Sequence, residues 1–131
     1  MELTMLPITS LFAAAFAVAL VALSFPISMR RLKVGDMVGD STDEDLRRRI
    51  RAQGNFIEYV PFGVLLLGLV EAQNGTTTIV LTIGSLLAFG RVLHAIGMFS
   101  SSGPLRGFGM IFTYLALFCA AGWLTANVWT S

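Results

Sequence analysis

Long apolar stretches alternate with short polar ones along this chain, and their lengths predict four membrane-spanning helices. Residues 3–29, 72–90 and 107–131 contain no charged side chain. A helix needs about 20 mostly apolar residues to cross the hydrocarbon core of a bilayer. We therefore predict an all-α membrane protein, a single domain over residues 1–131. Its four spans are expected at about 6–29, 52–73, 76–99 and 104–128.

The second span is less uniform than the others because Asn55 and Glu58 lie inside it. A helix-start signal precedes it, since Ser41-Thr42-Asp43-Glu44 has the spacing of a capping box and is followed by a further acidic residue. We expect this helix to begin near Asp43, outside the bilayer, and to run into it.

The composition narrows the class of protein. Of the 131 residues, 55% are hydrophobic and only 13% are charged, whereas about a quarter of the residues in soluble domains are charged. This shortage of charge argues against a soluble enzyme, a disordered protein and a nucleic-acid-binding protein. It is typical of an integral membrane protein.

The basic residues predict the orientation, because Lys and Arg concentrate in cytoplasmic loops. Seven of the nine lie in the loop at 30–51, and neither terminus carries any. We expect this loop to face the cytoplasm and both termini to face away from it. Glu2 and Glu71 then lie on the far side, where we assign them no role.

Polar residues at membrane depth point to a site. Arg51, Asn55 and Glu58 have i, i+4, i+7 spacing, which places them on one face of the second helix. Ionisable groups are costly inside a bilayer and usually face a partner or a cavity. Arg91 and His94 on the third helix lie towards the same membrane side. Arg30 and Arg106 lie at helix ends on that side too, so we expect a site that is open to the cytoplasm.

The residue types at this site predict the chemistry of its ligand. Guanidinium groups pair bidentately with carboxylates, and Glu58 offers a partner for an ammonium group. Arg106 lies near a helix start, where a thiolate is stabilised by the positive end of the helix and by nearby cations. A ligand with two carboxylates, one amine and one thiol fits this set.

Three segments carry a family resemblance. Arg51-Ala52-Gln53-Gly54-Asn55-Phe56-Ile57-Glu58-Tyr59-Val60-Pro61 resembles the second-helix motif of the MAPEG superfamily, the membrane-associated proteins of eicosanoid and glutathione metabolism. Pro26-Ile27-Ser28-Met29-Arg30-Arg31 resembles the end of the family's first helix, and Gly90-Arg91-Val92-Leu93-His94 resembles a third-helix motif. The chain is similar to bacterial members of the family over essentially its whole length.

The resemblance implies a homotrimer of four-helix subunits that binds glutathione, as co-substrate, between neighbouring subunits. It implies that Arg106 stabilises the glutathione thiolate and is the catalytic residue. The residues implied to bind glutathione are Arg30, Arg51, Gln53, Asn55, Glu58, Tyr59, Arg91 and His94. The sequence departs from the family pattern at Met98, where relatives often have a tyrosine, and at Gly54.

These observations favour a glutathione-dependent transferase or peroxidase that acts on a lipophilic molecule arriving through the bilayer, with no metal and no nucleic acid involved. Two other functions stay open. One is a non-catalytic lipid-binding or scaffold protein of the same fold, and the other is a small exporter that uses Glu58 as proton carrier. A structural alternative for Glu58 is an ion pair with Arg91.

Small residues recur at helical spacing in two of the spans. Ala15 with Ala19, and Gly84 with Ala88, are each four residues apart. Such pairs permit close approach of helices within a membrane, so we expect helix contacts there.

Overall fold

The computed structural model describes residues 4–131, so Glu2 lies outside the described residues. This part of the chain forms four helices: α1 (Pro7–Val34), α2 (Glu44–Ala72), α3 (Thr77–Phe99) and α4 (Gly103–Thr130). Each is long and apolar enough to cross a membrane. The prediction of an all-helical chain with four spanning-type helices is confirmed.

Local sequence signals explain where the helices begin and end. The Asp43 carboxylate accepts a hydrogen bond from the backbone N–H of Leu46 at 2.9 Å, so α2 begins at the predicted cap. α1 continues past the predicted span to Val34 and ends at Gly35, whose φ of 85° is the left-handed conformation that glycine adopts readily. Thr76 and Ser102 cap α3 and α4 in the same way as Asp43 caps α2.

Apolar side chains pack between the helices in two clusters. One cluster contains Phe16, Phe56 and Leu87, and the other contains Leu67, Val70 and Val80. Many other large apolar side chains face outward, among them Phe118, which is 75% exposed. An apolar outer surface of this extent is what a lipid-facing bundle requires, because lipid tails replace water around it.

Helices α3 and α4 approach each other at backbone distance because glycines lie where they cross. A Cβ atom on Gly109 would lie 2.5 Å from the backbone nitrogen of His94, and one on Gly90 would lie 2.8 Å from the carbonyl oxygen of Gly109. A Cβ atom on Gly97 would lie 2.5 Å from the backbone nitrogen of Arg106. These three glycines form a seam that sets the separation of the two helices.

Glu71 has a structural role that the sequence analysis did not assign. Its carboxylate accepts hydrogen bonds from the backbone N–H groups of Ile8 at 2.9 Å and Thr9 at 2.7 Å. Leu6, at the start of α1, provides no side-chain cap. The end of α2 therefore caps the beginning of α1, and the expectation that Glu71 has no role was wrong.

Candidate functional site

A cleft of about 460 Å³ lies between α2, α3 and the beginning of α4. Four of the predicted site residues line it: Arg51, Asn55, His94 and Arg106. Met98 and Met110 complete its wall, and Gly103 and Gly107 leave its floor without side chains. The structure therefore brings together polar residues that are distant in the sequence.

The glycine seam positions two of these residues. Gly97 faces the backbone of Arg106, and Gly109 faces the backbone of His94. Close contact at both points brings the imidazole from α3 and the guanidinium from the first turns of α4 into one cleft. His94 is 5% exposed, and its Nδ1 has no hydrogen-bond partner among residues 4–131.

Glu58 lies beside this cleft through its contact with Arg51. The Nη2 atom of Arg51 is 3.7 Å from Oε1 of Glu58, and both side chains are more than half exposed. The alternative of a Glu58–Arg91 ion pair is not seen in the described part of the chain. Arg51 and Glu58 therefore form a loose ion pair, and both groups remain accessible.

Arg91 is the most deeply buried cation of the site, at 5% exposure. Its guanidinium donates through Nη2 to Oδ1 of Asn55 and through Nη1 to Oγ1 of Thr113, the latter at 3.3 Å. It also lies 6.0 Å from the ring centre of Tyr59. Arg91 therefore positions Asn55, which lines the cleft, but Arg91 does not line the cleft itself.

Tyr59 faces α4. Its hydroxyl lies 3.4 Å from the hydroxyl of Tyr114, and the two rings pack edge to face with centres 5.8 Å apart. Tyr59 is thus placed beside Arg91, next to the cleft and outside its lining.

Arg30 and Gln53 make their contacts elsewhere in the chain. Arg30 pairs with Asp43 at 2.9 Å and lies 3.4 Å from Asp45, which ties the end of α1 to the start of α2. The Nε2 atom of Gln53 donates to Oγ of Ser24 on α1 at 2.8 Å. The structure therefore places these two residues outside the cleft.

The charges of the cleft favour an anionic ligand. Arg51 and Arg106 are both exposed, and none of the lining residues among 4–131 is acidic. Guanidinium groups bind carboxylates and stabilise thiolates. The cleft can therefore hold an anion between two guanidinium groups while Glu58, at its edge, accepts a cation.

The sequence analysis did not identify Met110, Gly103 and Gly107 as lining residues, or the glycine seam as the device that positions the site. Helical spacing gave a usable signal for Met110, which lies four residues after Arg106. The seam has a weaker signal, because glycines are common in membrane helices.

Comparison with known proteins supports the resemblance. The model of the MAPEG family matches residues 9–126. Inner membrane protein YecN of Escherichia coli strain K12 is 30% identical over 122 residues, which cover 93% of this chain and 91% of the relative. The protein of the same name from Escherichia coli O6:H1 strain CFT073 shows the same identity and coverage. No solved structure gave a significant match.

Proposed function

The chain belongs to the MAPEG family, and from this premise we propose that it is a glutathione-dependent membrane enzyme of transferase or peroxidase type. Glutathione is the co-substrate and binds in the cleft between Arg51 and Arg106. Its thiolate attacks a lipophilic electrophile that arrives from the bilayer, forming a thioether as the leaving group departs. With a hydroperoxide it attacks the outer oxygen and breaks the O–O bond, which releases the alcohol and leaves a sulfenic acid that a second glutathione converts to the disulfide and water.

The observation that carries this proposal is the convergence of Arg51, Asn55, His94 and Arg106 on one cleft without an acidic lining residue among those described. Glutathione has two carboxylates for Arg51 and Asn55, a thiolate for Arg106 and an ammonium group for Glu58. Arg106 lies four residues after Ser102, the N-cap of α4. A thiolate placed there gains from the guanidinium and from the positive end of the α4 helix dipole.

The substitution Arg106→Ala tests the assigned role. Removing a group that stabilises a developing charge costs about 10²–10³ in turnover. We expect such a loss in turnover, with a much smaller change in glutathione affinity, because Arg51 and Asn55 still hold the carboxylates. Unchanged turnover in this variant would remove Arg106 as the catalyst.

Arg48 offers a matched control. It lies near the beginning of α2, outside the cleft, its side chain is 41% exposed, and its Nη2 atom is 3.6 Å from Oε2 of Glu44. Arg48→Ala removes one positive charge from the same end of the bundle, so we expect turnover and glutathione affinity to stay at wild-type values.

A second candidate is a non-catalytic, lipid-binding or scaffold protein of the same fold. It is favoured by Met98 and Met110, since no lining residue of the described cleft carries a hydroxyl group that could donate to a thiolate. Protein that binds glutathione but does not consume it with a panel of electrophiles and hydroperoxides would favour this candidate.

Assembly and orientation complete the proposal. We infer a homotrimer in a bacterial inner membrane, with the α1–α2 loop and the cleft on the cytoplasmic side. The half-exposed Arg51–Glu58 pair supports this assembly, because ionisable groups within a span need a partner or a cavity. Native mass spectrometry in detergent tests it, and a monomer at every protein concentration would contradict it.

A further inference from the structure

A series of hydrogen bonds runs behind the cleft, from α4 through Arg91 to Asn55. The hydroxyl of Thr113 donates to the carbonyl oxygen of Gly109 at 2.8 Å. Its oxygen accepts a hydrogen bond from Nη1 of Arg91 at 3.3 Å, and Nη2 of the same guanidinium donates to Oδ1 of Asn55. Asn55 lines the cleft, whereas Thr113 is completely buried. The series therefore connects the interior of the bundle with the wall of the cleft.

The chemistry of the three side chains determines the direction of each hydrogen bond. A hydroxyl has one proton, and that of Thr113 goes to Gly109, so its oxygen is left to accept from Arg91. A guanidinium has donors only. Asn55 must therefore turn its oxygen towards Arg91, so that its Nδ2 group, with two N–H donors, points away from the guanidinium. That Nδ2 atom has no acceptor among residues 4–131 and is not one of their buried atoms.

The orientation of the Arg91 guanidinium depends on neutral acceptors. No carboxylate of residues 4–131 lies within 4.0 Å of its nitrogen atoms. Apart from a long contact with Sδ of Met110 at 3.9 Å, its acceptors in the described chain are the oxygens of Thr113 and Asn55. Thr113 is the one of these two that is held by its own helix, through Gly109. Its hydroxyl therefore provides the fixed end of the series.

The glycine seam makes room for this hydroxyl. A Cβ atom on Gly90 would lie 2.8 Å from Oγ1 of Thr113, so the hydroxyl occupies space that a side chain at position 90 would fill. Gly90 directly precedes Arg91 in the sequence. The same close approach of α3 and α4 thus brings the hydroxyl within reach of the guanidinium.

From these contacts we propose that Thr113 is a positioning residue of the glutathione site. Its hydroxyl orients Arg91, and Arg91 orients Asn55 so that the Nδ2 group donates to a carboxylate of glutathione. Thr113 and Arg91 touch no ligand themselves. The wall of the cleft at Asn55 then presents donors only, which favours a carboxylate over an ammonium group at this position. This inference rests on the proposed function and deepens it.

Substitutions at Thr113 test the hydroxyl directly, by isothermal titration of glutathione into the full chain in detergent. Thr113→Val removes the hydroxyl at nearly constant volume, and Thr113→Ala removes it without adding bulk beside Gly90. We expect each to weaken glutathione binding by about tenfold, because a hydrogen bond to a charged group is lost. Thr113→Ser keeps the hydroxyl and should bind within about twofold of wild type. Equal weakening in Thr113→Ser and Thr113→Ala would overturn the role of the hydroxyl.

Thr125 provides the matched control on the same helix. Its hydroxyl donates to the carbonyl oxygen of Ala121 at 2.8 Å, four residues earlier, as the hydroxyl of Thr113 does to Gly109. Thr125 does not line the cleft. Thr125→Val therefore removes the same type of helix hydrogen bond, and we expect it to bind glutathione as the wild type does. Equal weakening in Thr125→Val and Thr113→Val would assign the effect to the helix and refute the proposal.

A double-mutant cycle distinguishes positioning from a merely structural role. Asn55→Ala removes the group through which Thr113 is proposed to act, and we expect it to weaken glutathione binding by about tenfold. Adding Thr113→Val to Asn55→Ala should then weaken binding no further. Independent effects of two substitutions add in free energy, so a further tenfold loss in the double variant would contradict the series of contacts.

Nuclear magnetic resonance reads the orientation of Asn55 without any ligand. The protein has three asparagines, at positions 55, 74 and 127, and isotope-labelled asparagine gives one pair of side-chain NH₂ signals for each. The pair of Asn55 is the one that Asn55→Ala lacks. We expect this pair to shift in Thr113→Val and to keep its position in Thr113→Ser and Thr125→Val. An unmoved pair in Thr113→Val would overturn the proposal.

The outcomes separate this inference from the proposed function. If the folded wild type binds glutathione and Thr113→Val and Thr113→Ala bind it equally well, only the role of Thr113 is refuted. If the folded wild type does not bind glutathione at all, the proposed function is refuted and the positioning role with it.

Discussion

Replacing Gly97 with alanine will push α3 and α4 apart at the point where they bring His94 and Arg106 to one cleft. The new Cβ atom would lie 2.5 Å from the backbone nitrogen of Arg106 and 2.7 Å from its Cγ. Ordinary van der Waals contact begins at 3.4 Å. The nitrogen belongs to the helix backbone and cannot rotate away, so the two helices must separate by about 1 Å.

Two effects of that displacement can be measured. Overpacking of this kind costs about 1–3 kcal/mol of stability, which a thermal melt in detergent will show as a lower midpoint. A misplacement of about 1 Å at a reacting group can cost 10²-fold in rate. We therefore expect turnover of glutathione with a chlorodinitrobenzene acceptor to fall by roughly that factor.

Gly122→Ala is the matched control on α4. A Cβ atom there meets no heavy atom within 4 Å, so we expect wild-type turnover and an equal or slightly higher melting midpoint, because alanine favours a helix over glycine. If Gly97→Ala also kept turnover within about twofold of wild type and an unchanged midpoint, the seam would not position the site.

Two further predictions concern the ends of the helices. The Arg30 hydrogen bond, followed by the backbone N–H of Leu46, lowers the pKa of Asp43 to about 2. Because this pKa is depressed, the stabilisation that the ionised Asp43 gives the folded protein is present above pH 4 and is lost as the pH falls towards 2. The difference in melting midpoint between wild type and Asp43→Asn should therefore shrink over that interval. A constant difference would contradict the ion pair. Glu71→Ala leaves two N–H groups of α1 without their acceptor, so we expect the free energy of unfolding in detergent to fall by about 1–2 kcal/mol, and by less in Glu71→Gln. Equal stability of Glu71→Ala and wild type would refute the cap.

The helices could be predicted from the sequence because each rests on a local signal. The length of an uncharged apolar stretch predicts a membrane span. The start of α2 could be predicted because Asp43 lies three residues before Leu46, the spacing at which a carboxylate caps a helix N–H group. Residues on one face of α2, such as Arg51 and Asn55, could likewise be grouped by spacing alone. Both line the cleft.

The contacts between helices could not be predicted in the same way. Arg91 donates to Asn55 and Thr113, whereas the sequence equally allowed a pair with Glu58. Which partner a side chain meets depends on the rotation and separation of two helices, and here Gly90, Gly97 and Gly109 determine the separation of α3 from α4. The hydrogen bonds from the start of α1 to Glu71 join residues that are 62 and 63 positions apart. Residue spacing along one helix cannot predict such contacts.

Binding of glutathione to the detergent-purified protein tests the central claim most directly. Isothermal titration should show saturable binding to the wild type, and Arg51→Ala and Glu58→Gln should each weaken it by about tenfold, because they remove partners of a carboxylate and of the ammonium group. Arg48→Ala, which lies outside the cleft, should bind as the wild type does. Absence of binding to a folded wild-type protein would contradict the account.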